Sequence, residues 1–257
     1  MNTKEVAKHI IGWLSHYCDN AGLSGFIVGI SGGVDSALTS TLCAMTGKKV
    51  IMLTTPIRQT NVEYDRALRH MENLKSRFNN VTSMDLDMTS SLTQIEQDLP
   101  KYVVRDHLVM ANTRARLRMA TIYAIGQANS CIVTGTGNKI EDFGIGFYTK
   151  YGDGGVDISP IADLTKTEVW ALAQEVHVLD EIVAAKPTDG LWTDGRTDED
   201  QIGASYPELE WAMEFSGDEQ SLNQRQQDVL KIYRRFNHVN SHKMAPIPVC
   251  TIPKDLK

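Results

Sequence analysis

The stretch Phe26-Ile27-Val28-Gly29-Ile30-Ser31-Gly32-Gly33-Val34-Asp35-Ser36-Ala37-Leu38 decides how this chain folds. Its apolar beginning, Phe26 to Ile30, reads as a buried strand, and Ala37 to Leu42 opens a helix. Between them the glycines allow a tight turn that brings backbone N–H groups to one point. The helix dipole adds partial positive charge at that point, so strand, turn and helix N-terminus together form an anion site. Gly29, Ile30, Ser31, Gly32, Gly33, Val34, Asp35 and Ser36 are therefore candidate phosphate-binding residues, with Ser31 and Ser36 able to add hydroxyl donors.

A Walker-type loop carries a lysine that reaches the β- and γ-phosphates. Here no lysine occurs between Lys8 and Lys48, and the loop offers Asp35 instead. An acid beside phosphate makes physical sense if it holds a magnesium ion that bridges phosphate oxygens. The S-G-G-x-D-S pattern resembles the loop of the ATP pyrophosphatase superfamily, whose members cut ATP between the α- and β-phosphates and adenylate a substrate. The bland alternative is a glycine-rich strand-to-helix turn without a ligand.

Working outward, residues 4–18 place Val6, Ile10, Trp13, Leu14 and Tyr17 at helical spacing. Val50-Ile51-Met52-Leu53 reads as a second buried strand, closed by Pro56 before a loop with Arg58 and Gln59. Tyr64, Leu68, Met71 and Phe78 mark a helix, and Met84, Leu86 and Met88 alternate as a third strand. A long helix is expected over 106–128, then a short strand Cys131-Ile132-Val133-Thr134 running into Gly135-Thr136-Gly137. Thr165-x-x-Glu168 is a capping box ahead of an amphipathic helix. Residues 186–203, rich in Thr, Asp and Gly, are expected as a mobile surface loop that could close as a lid, and His242-Lys243 in a proline-interrupted tail. The βαβαβ order predicts an α/β fold with a doubly wound, mainly parallel sheet and helices on both faces, Rossmann-like, with ligands at the carboxyl ends of its strands.

With 257 residues, 42% of them apolar, the chain suits one large core, and we expect a single domain over 1–257. Net charge is −6, without a basic tract, which argues against a nucleic-acid substrate. Cys18, Cys43, Cys131 and Cys250 lack C-x-x-C spacing and read as buried reduced thiols. The charged N-terminus does not suit a signal peptide, and no segment approaches a membrane span. A cytoplasmic protein is expected.

Further blocks follow the loop in order. They are Asn112-x-x-Ala115-Arg116-x-Arg118, Gly135-Thr136-Gly137-Asn138-Lys139-x-Glu141, Thr149-Lys150-Tyr151-Gly152-Asp153-Gly154-Gly155-Val156-Asp157, Pro187-Thr188, Asp198-Glu199-Asp200-Gln201-Ile202-Gly203 and His242-Lys243. Together these blocks resemble the ammonia-dependent NAD synthetases, over residues 6–250. The resemblance implies that ATP adenylates the nicotinate carboxylate of deamido-NAD, releasing pyrophosphate, and that ammonia then displaces AMP. It also implies roles. Asp35 and Glu141 match magnesium ligands; Thr136, Lys166 and Thr188 match ATP contacts; Arg116, Lys150, Asp157, His242 and Lys243 match contacts to deamido-NAD. Asp35, Asp157 and Lys166 are the expected catalytic residues, with Asp157 a candidate for handling ammonium. Arg58 is added as a candidate ATP contact. Arg116 and Arg118 flank Leu117 on a helix, so they point differently and only one is expected to reach ligand directly.

No glutaminase domain is expected, so ammonia would be used directly. By the resemblance the long helix helps form a homodimer interface, and no membrane or nucleic-acid partner is expected. Two rival classes remain: another adenylating ATP pyrophosphatase, GMP-synthetase-like or a tRNA thiolase, and a non-catalytic ATP-binding module. A thiolase would call for catalytic cysteines and a basic face, and a binding module would lack Glu141 and the Lys150–Asp157 block.

Overall fold

The computed structural model describes residues 1–58, 61–188 and 197–257. Helix α1 (Thr3–Asn20) leads into strand β1 (Gly25–Gly29), α2 (Val34–Met45), β2 (Lys49–Thr54), α3 (Asn61–Arg77) and β3 (Val81–Asp85). Then come α4 (Thr89–Asp98), α5 (Lys101–Val104), α6 (His107–Ala128) and β4 (Cys131–Thr134). A π-type turn spans Ile140–Ile145, followed by α7 (Lys166–Glu175), α8 (Asp180–Val183), α9 (Asp198–Ile202), α10 (Tyr206–Glu214) and α11 (Gln224–Met244).

Among the described residues the sheet has four strands in the order β3-β2-β1-β4, and every pairing is parallel. Strand period two sorts the side chains onto its faces. Phe26, Val28, Val50, Met52 and Ile132 pack with α1, α2, α3 and α7, while Ile27, Ile51, Leu53 and Val133 pack against Met119 and Ile122 of α6. Each such aliphatic side chain, fully buried, contributes about 1.5–3 kcal/mol, and burial on both faces explains why these strands read as unbroken apolar runs. Helix α6 approaches closely because Gly126 has no side chain; a Cβ there would lie 2.9 Å from Ile27 Cγ2.

The doubly wound expectation holds. The chain steps outward from β1 through β2 to β3, then crosses by α6 to pair β4 on the other side of β1. Strand order therefore reverses between β1 and β4, and the carboxyl ends of those two strands diverge into a crevice.

Several local readings are corrected. The third strand is Val81–Asp85, so Leu86 and Met88 lie beyond it; β3 is an edge strand with only Val81 buried, and its alternation is a poor guide. Trp13 and Tyr17 stack on each other, half-exposed, while α1 buries Ala7, Ile10, Leu14 and Cys18. Part of 186–203 is helical: Thr197 and Asp200 form a capping box that starts α9 and buries Asp198 and Ile202. Residues 189–196 of the suggested lid, and Gln59, lie outside the described residues. His242 and Lys243 form the last turn of α11 rather than a tail, because helical packing continues up to Ala245-Pro246. Cys250 is exposed, whereas the other cysteines are buried. No described helix is long and apolar enough to cross a membrane.

Candidate active site

The crevice between β1 and β4 is a cleft of about 640 Å³. One wall is the anion loop. Helix α2 starts at Gly33 without a side-chain cap, so its first-turn N–H groups face the cleft as donors for an anion. The serines shape the loop: Ser36 Oγ accepts from the Ser31 amide at 3.2 Å and donates to the Gly33 carbonyl at 3.0 Å, and Ser31 Oγ accepts from the Gly33 amide at 3.2 Å. Gly32 sits at φ +87°, a left-handed conformation open to glycine, and a Cβ there would lie 2.2 Å from the Glu63 carbonyl oxygen.

The opposite wall follows β4. Asn138, fully buried, accepts from the amides of Ile140 and Glu141 at 3.1 Å each and donates to Asp35 Oδ1 at 3.1 Å. One asparagine thus starts the turn that carries Glu141 and ties it to the β1 loop. Lys166, at the start of α7 and 2% exposed, closes the constellation. Its Nζ donates to Asp35 Oδ2 at 2.6 Å and to Glu141 Oε1 at 3.2 Å. Tyr206 of α10 donates to Glu141 Oε1 at 2.5 Å and reaches Asp198 Oδ2 at 3.4 Å, and its ring lies 4.8 Å from Lys166 Nζ.

Electrostatics fix the charge states. Burial pulls the Lys166 ammonium toward neutrality, but Asp35, Glu141 and Asp198 outweigh it and hold its pKa above the ordinary value. Burial, together with Glu141 and Asp198, raises the Tyr206 phenol well above its usual range, so it stays a donor. Asp142 is pushed up to about 8, first by burial and then by Glu141, Asp153 and Asp35. It is seated against Gly137, where a Cβ would lie 2.2 Å from both carboxylate oxygens. Two carboxylate oxygens, one from the first turn of α2 and one from the π-type turn, converge on one cationic centre beside an anion loop. That donor set fits a hard divalent cation completed by phosphate oxygens and water, so Asp35 and Glu141 fit magnesium.

The structure gathers most of the predicted residues. The loop from Gly29 to Ser36, apart from Gly32, lines the cleft together with Thr136, Glu141, Lys166, Thr188 and Lys243. A second group meets outside that lining: Arg116 Nε donates to the Lys150 carbonyl at 3.2 Å and Lys150 Nζ to the His242 carbonyl at 2.8 Å. Lys243 connects the two groups, donating to the carbonyls of Gly146 and Tyr148 at 2.7 and 2.9 Å. Arg118, not Arg116, lines the cleft, with Nε on the Thr55 carbonyl at 3.1 Å; burial and Arg114 lower it to about 10. Arg58 is turned away, paired with Glu96 at 2.7 Å and bonded to Thr93. Asp157 also stands outside the lining: Tyr123 donates to it at 2.9 Å, as does the Val133 amide.

Sequence reading quoted Asn138 and Asp198 within its motif blocks without giving them a role, and missed Tyr206 and Arg66. Asn138-x-x-Glu141 is a capping signature that could have revealed the role of Asn138. Tyr206 lies 65 positions from Glu141 and carried no signal.

Comparison with known proteins gives the family. The NAD synthase family matches residues 6–246. The NH(3)-dependent NAD(+) synthetase of Methanosarcina acetivorans is 36% identical over 80% of this chain and 79% of its own length. That of Syntrophomonas wolfei is 34% identical over 100% of both. Among solved structures, an NMN synthetase from Francisella tularensis superposes with a TM-score of 0.85 at 28% identity, covering 99% of each chain. The chain belongs to the NAD synthase family.

Proposed function

We propose that this member of the NAD synthase family makes NAD by amidating the nicotinate carboxylate of deamido-NAD with ammonia, at the expense of ATP cleaved to AMP and pyrophosphate. The observation that carries the reading is the convergence of Asp35 and Glu141 on Lys166 beside an uncapped helix N-terminus. A carboxylate is a poor electrophile at neutral pH. Joining its oxygen to the α-phosphorus gives ammonia an AMP leaving group in place of an oxide.

Each group then has a task. The loop amides and the α2 N-terminus hold phosphate oxygens, with Thr136 and Thr188 contributing hydroxyls from the opposite side. Lys166 offsets the charge that builds at the α-phosphate during attack. Asp35 and Glu141 would hold a magnesium ion, which supplies charge neutralisation on the phosphate oxygens. Arg116, Lys150 and Lys243, with His242 beside them, form a rim for deamido-NAD. The cleft walls keep water from the activated carboxylate. Arg58 enters as an ATP contact only by exchanging Glu96 for ligand. Asp157 handles ammonium in this reading; full ammonia-dependent turnover of Asp157→Asn at saturating substrate would leave it only the tie between β4 and α6 that its hydrogen bonds make.

The reading extends to a homodimer in the cytoplasm that uses ammonia as its nitrogen donor. Exposed Val109 on α6, with exposed Tyr102 on α5, suits a subunit contact, beside Leu108 at the cleft rim; light scattering after size exclusion checks it. A second reading is favoured by the Francisella likeness, which spans both chains nearly completely. The same chemistry on nicotinate mononucleotide would give NMN.

One experiment tests both. The chain is incubated with ATP, magnesium and ammonium, with deamido-NAD or nicotinate mononucleotide as acceptor and glutamine replacing ammonium in a parallel tube. Equal amounts of NAD, AMP and pyrophosphate with ammonium are expected. NMN as the faster product moves the assignment to the mononucleotide, and ADP as product sinks the reading.

A further inference from the structure

The anion loop carries Asp35 but no lysine or arginine, and none occurs anywhere from His9 through Gly47. Backbone amides and a helix dipole, equivalent to roughly half a charge, cannot by themselves balance a departing pyrophosphate. Beyond the magnesium ion that Asp35 and Glu141 would hold, any side-chain cation for it comes from another element. Lys166 is already shared between Asp35 and Glu141, and Lys243 is bonded to two carbonyls on the far wall. Arg66 is placed differently. It projects from α3, lines the cleft, and donates from Nε to the Gly32 carbonyl at 3.2 Å.

The contact is built into the backbone. Gly32 turns its open side onto α3, where an added Cβ would lie 2.2 Å from the Glu63 carbonyl oxygen and 3.3 Å from the Ala67 amide nitrogen. The helical turn bearing Arg66 is therefore fixed against the apex of the loop. With Nε engaged, the two Nη groups of the planar fork remain for bidentate contact to phosphate oxygens.

We propose that Arg66 is the pyrophosphate anchor of this site, supplying from the neighbouring helix the charge that a Walker loop carries in its own sequence. The inference deepens the ATP-cleaving reading and rests on it. In the step it serves, a carboxylate oxygen of the substrate bonds to the α-phosphorus. The bond from that phosphorus to the oxygen bridging the β-phosphate breaks, and its electron pair leaves on pyrophosphate, which Arg66 holds.

Calorimetric titration with magnesium pyrophosphate, and separately with ATP and with deamido-NAD, tests this on wild type, Arg66→Gln and Arg66→Lys. Arg66→Gln is expected to weaken pyrophosphate and ATP about ten- to a hundredfold, as loss of a charge-assisted contact does, while deamido-NAD binding stays within about twofold. Arg66→Lys should recover part of the loss, since it keeps charge without the fork. Wild-type pyrophosphate affinity in Arg66→Gln would overturn the assignment. So would an equal loss for deamido-NAD, which would mark a purely structural residue. If wild type binds neither ATP nor pyrophosphate, the ATP-cleaving reading falls with it.

Discussion

At the end of β1 the chain turns through Ser31-Gly32-Gly33 into α2, a helix of 12 residues without a side-chain cap. At the end of β4 it turns through Gly135-Thr136-Gly137 into a π-type turn of 6 residues, whose first amides are already taken by Asn138. Both junctions pair a buried strand with a glycine turn. The first leaves backbone donors open and suits an anion; the second consumes its donors internally and presents Glu141, which suits a cation. What a strand-to-glycine junction binds thus depends on whether the following helix start is capped from within.

Lys166 joins the two halves, and its loss should break the comparison most completely. Lys166→Met leaves Asp35 and Glu141 buried without their shared cation, which is expected to cost about 3–5 kcal/mol. Urea unfolding should show this loss, with partial recovery in added magnesium. Pyrophosphate release should fall about a hundred- to a thousandfold, as for removal of a transition-state charge donor. An unchanged midpoint without magnesium would mean that the junctions are not electrostatically coupled.

A pair of glycine substitutions separates the halves. Gly32→Ala places a Cβ 2.2 Å from the Glu63 oxygen at φ +87°, and should cost roughly 1–3 kcal/mol and weaken pyrophosphate binding. Gly137→Ala drives a Cβ to 2.2 Å from the Asp142 carboxylate, and should raise the magnesium requirement while metal-free pyrophosphate still binds. Identical effects in magnesium and pyrophosphate titrations would dissolve the distinction.

The β1 side also carries a pH dependence. His70, 1% exposed, lies 2.8 Å by Nε2 from Ser40 Oγ, itself within 2.8 Å of the Ser36 carbonyl. Its Nδ1 is buried without a hydrogen-bond partner among the described residues. Burial, with Arg77 adding to it, depresses the folded pKa to about 4 from 6.5. The unfolded chain takes up a proton that the folded chain refuses, so stability falls as pH drops through the window between those values. The loss should reach about 2 kcal/mol by pH 5, and His70→Asn should flatten that part of the curve in denaturant titrations.

The smallest effect is expected at the rim. Arg116→Ala should raise the KM for deamido-NAD about tenfold, roughly the 1.4 kcal/mol of one exposed charged contact, and leave the KM for ATP unchanged. A matching rise for ATP would move Arg116 into the phosphate site.

Local sequence was enough for much of this molecule. Apolar runs placed β1, β2 and β4, because strands buried on both faces are predominantly apolar, with only Thr54 and Thr134 as buried polar residues at their ends; glycine and serine spacing marked the anion loop, because its geometry is made by near neighbours. The Thr165–Glu168 capping box marked the start of α7 for the same reason. The edge strand β3 was misplaced, since a strand with one buried residue has little hydrophobic pattern to read. Resemblance named Glu141 and Lys166, yet nothing in their spacing implied that one ammonium would lie between two carboxylates from different elements. Tyr206 over Glu141, Arg66 on Gly32 and the outward placement of Arg58 were decided by tertiary structure alone. These contacts join residues far apart in the chain, and the reversal of strand order between β1 and β4 brings Asp35 to the crevice where Glu141, Lys166 and Tyr206 meet it.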